Sequence, residues 1–322
     1  MSLDELARRL QAKMRGRVDR ERPLAPLTTY RLGGPAGLYL EPADEDDLAI
    51  VSQALSNDPD LAVLVLGRGS NLVVSDRGWP GVVIRLGPLF ARIERPREGE
   101  PEGLLAAGAA PLPTLANWAA RRGLEGLEFL VSIPGSVGGA VRMNAGAHGC
   151  DVANSLRSVT VLDLTDGTLR ARRAGDLDLS YRHSNLSARE LVIDATFALR
   201  LGEPNEIRAR IDDFRRHRAA TQPGALQNAG SVFKNPPGDA AGRLVEASGL
   251  KGFRVGGAEV STLHANFFLA STGATAQDVF DLVQEIRARV AERTGIHLEP
   301  EVRFVGHFER QGDHVIEGAN QR

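Results

Sequence analysis

"LAVLVLGRGSNLVV", residues 61–74, decides how the first half of this chain is read. An apolar run meets the loop Gly67, Arg68, Gly69, Ser70 and Asn71, and a second apolar run follows at once. A Rossmann fingerprint needs a third glycine after the loop and then a helix. Here Leu72 stands where that glycine belongs, and "NLVVSD" continues as strand. The segment is therefore strand, glycine loop, strand. Two readings fit it: a plain glycine hairpin, or a backbone nest whose successive N–H groups hold a pyrophosphate.

A second segment favours the nest. "FLVSIPGSVGGAVRMNAGAHG", residues 129–149, gathers Pro134, Gly135, Ser136, Gly138 and Gly139, then Asn144, Ala145 and Gly146. Such a run buries few methyl groups and makes a poor core. It does let a large flat ligand lie close against the backbone.

The surrounding chain reads as α+β with mixed strands. "TTYRLGG" predicts a strand entering a glycine turn, and "PADEDDLAIVSQALSND" a helix with an acidic first turn. "GVVIRLG", "GLLAAGA", "SVTVLDL" and "ELVIDATFALRL" read as strands, and "PTLANWAARRG" as a helix stopped near Gly123. A charged helix, "NEIRARIDDFRRHRAA", follows a break near residue 205, where a new domain is expected. "ATAQDVFDLVQEIRARVAERTG" is an amphipathic helix with a Thr275/Asp278 capping box and Gly295 at its end. "HLEPEVRFVG" closes the fold as a strand, and "HFERQGDHVIEGANQR" reads as a loose polar tail.

Composition excludes several classes. The chain has 322 residues, 42% apolar and 25% charged, with a net charge of −2. These are the proportions of a globular protein, with no electrostatic case for nucleic acid. One cysteine, Cys150, excludes an internal disulfide and a cysteine zinc site, and it reads as a buried, non-catalytic thiol. No signal peptide, transit peptide or membrane span is legible, so a cytoplasmic protein is expected. His148 and His264 have no helical partner, so no metal site is expected.

Three stretches could carry chemistry. In "SYRHSNL", strand-like spacing would put Arg182 and Ser184 on one face, where a guanidinium fork suits a carboxylate. "EPEV" places Glu299 and Glu301 two apart, a pair that could divide proton-transfer roles. "NAGSVFKNP", residues 228–236, sets Ser231 beside Gly230 and ahead of Lys234 and Asn235. Among 39 basic residues only Lys13, Lys234 and Lys251 are lysines. A tight site near Ser231 would resist exchange of lysine for arginine.

"TTYRLGG", "GRGSNLVVSD", "IPGSVGGAVRMNAGAHG", "YRHS", "NAGSVFKNP", "HANFF" and "LEPEVRFVG" stand in the order found in UDP-N-acetylenolpyruvoylglucosamine reductases. The resemblance runs from about residue 23 to 306. It implies a two-part FAD-binding module of the vanillyl-alcohol-oxidase type and a smaller α+β substrate-binding domain. The expected division is a helical extension (1–22), FAD subdomains (23–95 and 96–204), a substrate domain (205–300), and a closing strand with tail (301–322). The resemblance implies non-covalent FAD, NADPH as hydride donor, and UDP-N-acetylglucosamine enolpyruvate as the substrate reduced to UDP-N-acetylmuramate. By it, Ser231, Arg182 and Glu301 match catalytic positions. The loop 67–71, Pro134, Gly135, Ser136, Gly138, Gly139, Asn144, Ala145 and Gly146 would hold FAD. Tyr181, Ser184, Lys234, Asn235 and His264 would meet substrate.

The chain departs from the family's common pattern at Leu27, His148 and Leu186, where asparagine, tyrosine and an aromatic are frequent. The short stretch between Tyr181 and Leu201 resembles the subclass without an inserted tyrosine loop over the substrate. A monomer or weak dimer is expected. On the sequence, an FAD-dependent oxidase of a hydroxy acid or sugar, and a non-catalytic flavin or nucleotide-sugar binder, stay open beside this reading.

Overall fold

Local signals set the first elements. Helix α1 (Leu3–Gln11) starts where the Ser2 hydroxyl accepts a hydrogen bond from Glu5 N at 3.2 Å. Its acids lie in the first turn and its arginines in the last, complementing the helix dipole. The computed structural model describes residues 1–95, 103–224, 227–309 and, as backbone alone, 314–317.

Strands β1 (Arg17–Pro23), β2 (Pro35–Glu41), β3 (Val63–Val65), β4 (Leu72–Val74) and β5 (Trp79–Ile84) follow, with helix α2 (Glu45–Ser56) between β2 and β3. They form a sheet in the order β1-β2-β5-β3, antiparallel only at the β1 edge. Helices α1 and α2 bury Leu6, Leu10, Val51 and Leu55 with Leu38, Leu40 and Val82. Strand β4 does not join this sheet. The loop 67–71 therefore bridges two sheets, and the hairpin reading is excluded. Residues 28–34 form no strand. Fully buried Tyr30 instead donates its hydroxyl to Phe268 O at 3.0 Å, and Arg31 and Gly33 turn the chain at φ 54° and 122°. A long-range anchor overrides the local strand propensity there.

The second region holds β6 (Ile93–Glu94), β7 (Gly103–Ala107), α3 (Leu112–Ala120), β8 (Leu124–Glu125), α4 (Val137–Arg142), β9 (Gly146–Ala147), β10 (Cys150–Asp151), β11 (Leu156–Asp163), β12 (Leu169–Arg173), β13 (Glu190–Ala198) and β14 (Arg200–Leu201). Its antiparallel sheet runs β12-β11-β13-β7-β6, and α3 and α4 bury Leu115, Ala116, Val137 and Val141 with Val159, Ala195 and Phe197. Gly123 takes φ 66° just past the end of α3. Residues 181–184 are not strand. A small bridge joins Ser180 to His183, and Arg182 sits at φ 57°, so Arg182 and Ser184 do not share a strand face. Cys150 is exposed rather than buried, because the β9–β10 ribbon that carries it stands at the surface.

Helix α5 (Pro204–Thr221) buries Ile207 and Ile211 in the core of the second region, and the third region follows it with α6 (Ala241–Ala247), β15 (Arg254–Val255), β16 (Ala258–Val260), β17 (Phe268–Ala270) and α7 (Ala276–Thr294). The meander β15-β16-β17 packs with α6 and α7 around Leu244, Val260, Phe268, Val283 and Ile286. The Thr275/Asp278 box caps α7, and Gly295 ends it at φ 73°. Asp76, just past β4, adds its carboxylate to that helix start, accepting from Ala276 N at 2.9 Å and Gln277 N at 3.0 Å. Strand β18 (Arg303–Glu309) runs parallel to β4 and antiparallel to β19 (His314–Glu317). The expected loose tail thus supplies a strand. Residues 310–313 and 318–322 of that tail, and residue 96 at an expected boundary, lie outside the described residues. Among the described residues, no helix is long and apolar enough to cross a membrane.

Candidate active site

The parallel β4–β18 pair brings the glycine loop 67–71 against the C-terminal strand. Asn71 Nδ2 donates to Glu301 O at 3.2 Å, and Arg303 N donates to Asn71 O at 3.1 Å. Beside this seam opens a cavity with about 1610 Å³ of empty space. It is walled by the loop, by Pro134, Gly135 and Ser136, by Ala145 and Gly146, and by Ser231 and Glu301. A neighbouring space of about 650 Å³ shares Gly67, Arg68, Ser136, Gly139 and Arg142 with it, and adds Gly138. The two spaces are continuous along these shared residues, which gives one long cleft lined by both glycine-rich segments. Gly69 takes φ 62°, and a Cβ there would meet Leu27 O at 2.3 Å, so glycine is required for both conformation and space.

At the cavity's inner end, Arg182 Nε donates to Glu301 Oε1 at 2.6 Å, and Arg182 Nη2 donates to Gly146 O at 3.0 Å. Burial pushes the Glu301 carboxyl above its ordinary pKa, although Arg182 and Lys234 pull the other way. Glu301 N donates to Val232 O at 2.7 Å, which fixes this carboxyl to the segment carrying Ser231. Gly230 turns that segment at φ 78°. Among the described residues the Ser231 hydroxyl has no hydrogen-bond partner. Ser231 also lines a second pocket of about 740 Å³, with Asn235, Arg243 and His264. It stands at the junction of the two.

A profile of the FAD binding domain matches residues 36–171, and a profile of the UDP-N-acetylenolpyruvoylglucosamine reductase C-terminal domain matches residues 222–305. A UDP-N-acetylenolpyruvoylglucosamine reductase of Acidiphilium cryptum is 45% identical over 91% of this chain and 93% of its own length. One from Geobacter metallireducens is 44% identical over 94% and 99%. The chain belongs to the UDP-N-acetylenolpyruvoylglucosamine reductase family. The crystal structure of such a reductase from Thermus caldophilus, 36% identical, superposes with a TM-score of 0.75 over 90% of this chain and 99% of that one. The fold is an FAD-binding domain of the vanillyl-alcohol-oxidase type joined to the reductase C-terminal domain.

The residues present fit FAD. Among the described residues no acceptor takes a backbone N–H of residues 67–71, which leaves a run of uncommitted donors facing the cavity. Trp79 Nε1, on the cavity wall, is buried without a partner. Three arginines that the sequence reading missed add positive charge. Arg142 donates to Leu186 O, Ser187 O and Glu190 O, and burial, with Arg303 nearby, brings its pKa down to about 10. Arg218 donates to Ser132 O, and burial lowers its pKa. Arg303 has free surface, but that surface faces the cavity; the enclosing protein lowers its pKa, and its guanidinium has no partner among the described residues. An arginine-rich background hid all three. The one available signal was alternation, which puts Arg303 on the face of Glu301.

The expected substrate-side residues divide. Asn235 and His264 line the second pocket. Asn235 Oδ1 accepts from Ala241 N at 3.0 Å at the start of α6, and His264 Nδ1 accepts from Asn266 N at 3.2 Å while burial lowers its pKa. Half-exposed Tyr181 accepts from Asn235 N at 3.3 Å and carries the Arg182 guanidinium over its ring. Lys234 is paired at 2.6 Å with Glu299, and its charge also acts on Glu301. Buried Ser184 donates to Arg142 O at 2.8 Å, and Asn144 is 1% exposed; neither borders the cavity.

Proposed function

We propose that Ser231 is the proton donor, and Arg182 and Glu301 the carboxylate clamp, of a UDP-N-acetylmuramate dehydrogenase. The reaction takes UDP-N-acetylglucosamine enolpyruvate to UDP-N-acetylmuramate in peptidoglycan precursor synthesis. Bound FAD supplies a two-electron relay from NADPH to the vinyl end of the substrate. Residues 67–71, Gly135, Ser136 and Arg303 would hold that cofactor non-covalently through N–H groups and positive charge.

As the vinyl end is reduced, negative charge grows on the adjacent carbon and spreads into the carboxylate. Arg182, aimed by Gly146 O, meets that charge with a fixed cation. Glu301 stays protonated to higher pH than an ordinary glutamate, so it can donate a hydrogen bond to the same carboxylate. Such prepositioned donors are each worth about 3–4 kcal/mol in a transition state. Ser231 then passes its hydroxyl proton to the carbon. A serine is a weak acid, but an enolate carbon is a strong base, so position governs the step more than acidity. Lys234, Asn235, Tyr181 and His264 are the residues proposed to bind or frame the nucleotide sugar, whereas buried Ser184 holds Arg142 O instead.

The observation that carries this reading is the uncommitted Ser231 hydroxyl at the junction of two cavities, one bond network away from Glu301. Stopped-flow absorbance of Ser231→Ala tests it. Flavin reduction by NADPH should stay near the parent rate, and reoxidation by substrate should slow by roughly 10²–10⁴-fold. Intact reoxidation would remove Ser231 from the role.

The stretch from Tyr181 to the start of β13 holds only turns, which supports the short-loop subclass. A monomer or weak dimer in the cytoplasm is proposed. The division near residues 95, 204 and 300 is proposed as the boundary set between FAD and substrate parts.

A further inference from the structure

The cavity wall runs from Met143 to Ala145 and passes over Asn144, which lies 1% exposed beneath it. Asn144 sits at φ 38°, just past the end of α4. Asparagine tolerates that left-handed backbone better than most side chains. Its amide is fully committed within the protein. Nδ2 donates to Asp151 Oδ2 at 3.1 Å and to Ser180 O at 3.0 Å, and Oδ1 accepts from Ala153 N at 2.9 Å.

Ser180 O is the base of the turn that carries Arg182. The same carbonyl accepts from His183 N at 3.1 Å, closing the turn that holds Arg182 at φ 57°. Two residues along the chain from Asn144, Gly146 O takes Arg182 Nη2 at 3.0 Å. Asn144 therefore grips the backbone at the foot of Arg182 and stands next to the strand whose carbonyl aims its guanidinium. A residue at φ 57° has no helix or strand ladder to hold it, so side-chain anchors decide its place.

We infer that Asn144 is a positioning residue for Arg182, acting through the Ser180–His183 turn, and not a contact to the cofactor. This rests on the reading above that Arg182 acts on the substrate carboxylate. A buried amide with three partners is worth several hydrogen bonds, and its loss lets the turn relax. Arg182 then loses the sub-ångström placement on which an oriented donor depends.

Asn144→Gly keeps the left-handed backbone and removes only the side chain. In holoenzyme, the flavin absorption band and the rate of reduction by NADPH should stay within about twofold of the parent. Reoxidation by the enolpyruvyl substrate should slow by roughly 10–100-fold, seen as a fall in kcat larger than any rise in KM. In an Arg182→Ala background the same substitution should add less than about twofold, because both act through one group. Full additivity, or a changed flavin band and reduction rate in step with the loss, would overturn the inference. Arg182→Ala alone separates the two levels. If it leaves reoxidation intact, the reading of Arg182 fails; if it slows reoxidation and Asn144→Gly does not, only the role of Asn144 fails. Should Asn144→Gly not fold, Asp151→Ala removes a single anchor and should give the same split, smaller in size; normal reoxidation in that variant would count against the inference.

Discussion

The two pockets that meet at Ser231 handle positive charge differently, the Arg182–Glu301 pair of the large cavity apart. Around the large cavity, Arg142, Arg218 and Arg303 donate to carbonyls or to nothing, and none has a carboxylate within salt-bridge reach among the described residues. In the second pocket Arg243 pairs with Asp239 and Glu246 with Lys251, and Lys234, next to the lining residue Asn235 in the chain, pairs with Glu299. Desolvating a cation without an acidic partner is costly, and each lowered arginine pKa registers that cost. On the proposed reading, the wall keeps its charge for the bound FAD. Surface pairs are worth only about 0–1 kcal/mol, so a diphosphate that enters and leaves each turnover can take Lys234 from Glu299 at small cost. That reading makes one site suited to a resident ligand and the other to a visiting one.

Breaking the resident side should show the largest effect. Arg303→Met is expected to weaken FAD retention by roughly 10- to 150-fold, the range for a hydrogen bond to a charged group, read by equilibrium dialysis. Unchanged FAD affinity with a raised substrate KM would move Arg303 to the visitor's side. On that side, Lys234→Met should raise the KM for the nucleotide sugar about tenfold while flavin reduction by NADPH is unaffected, read by steady-state and stopped-flow kinetics.

The Arg182–Glu301 pair, on the wall of the large cavity, sharpens the contrast through pH. Burial already raises the Glu301 pKa and Arg182 lowers it, so removing Arg182 must raise it further. The protonated form is lost as pH rises through the folded value. In Arg182→Met, infrared titration of this carboxyl, assigned against Glu301→Gln, should therefore move to higher pH. A shift to lower pH would mean that Arg182 does not stabilise the carboxylate. The smallest change is expected for Glu299→Gln, which frees Lys234: substrate KM should fall by no more than about threefold, with thermal stability nearly unchanged. A large loss of stability would show that this exposed pair is structural.

Several features were legible because they are local. The Thr275/Asp278 box and Gly295 bound α7 as expected, since a cap depends on neighbours three or four residues away. The small residues of 67–71 and 134–139 pointed to close backbone approach, and those residues do line the cavity. Other features were not legible, because their causes lie far along the chain. Tyr30 forsakes a strand for Phe268, 238 residues away, and Asp76 caps a helix 200 residues on. The Arg182–Ser184 face failed because a turn needs only a few residues to undo strand spacing, and Asn144 holds that turn from another segment.

The sequence by itself determined the residue types that the proposed chemistry draws on: glycines where the backbone must turn or approach a ligand, an arginine, an acid and a serine. Only the tertiary structure decided which of them meet. Strand β4 pairs with β18 rather than β3, and that one parallel register sets Glu301 and Arg303 beside the loop at residue 71. Strand pairing is settled by the burial of whole faces across the molecule, so no local window of residues contains it.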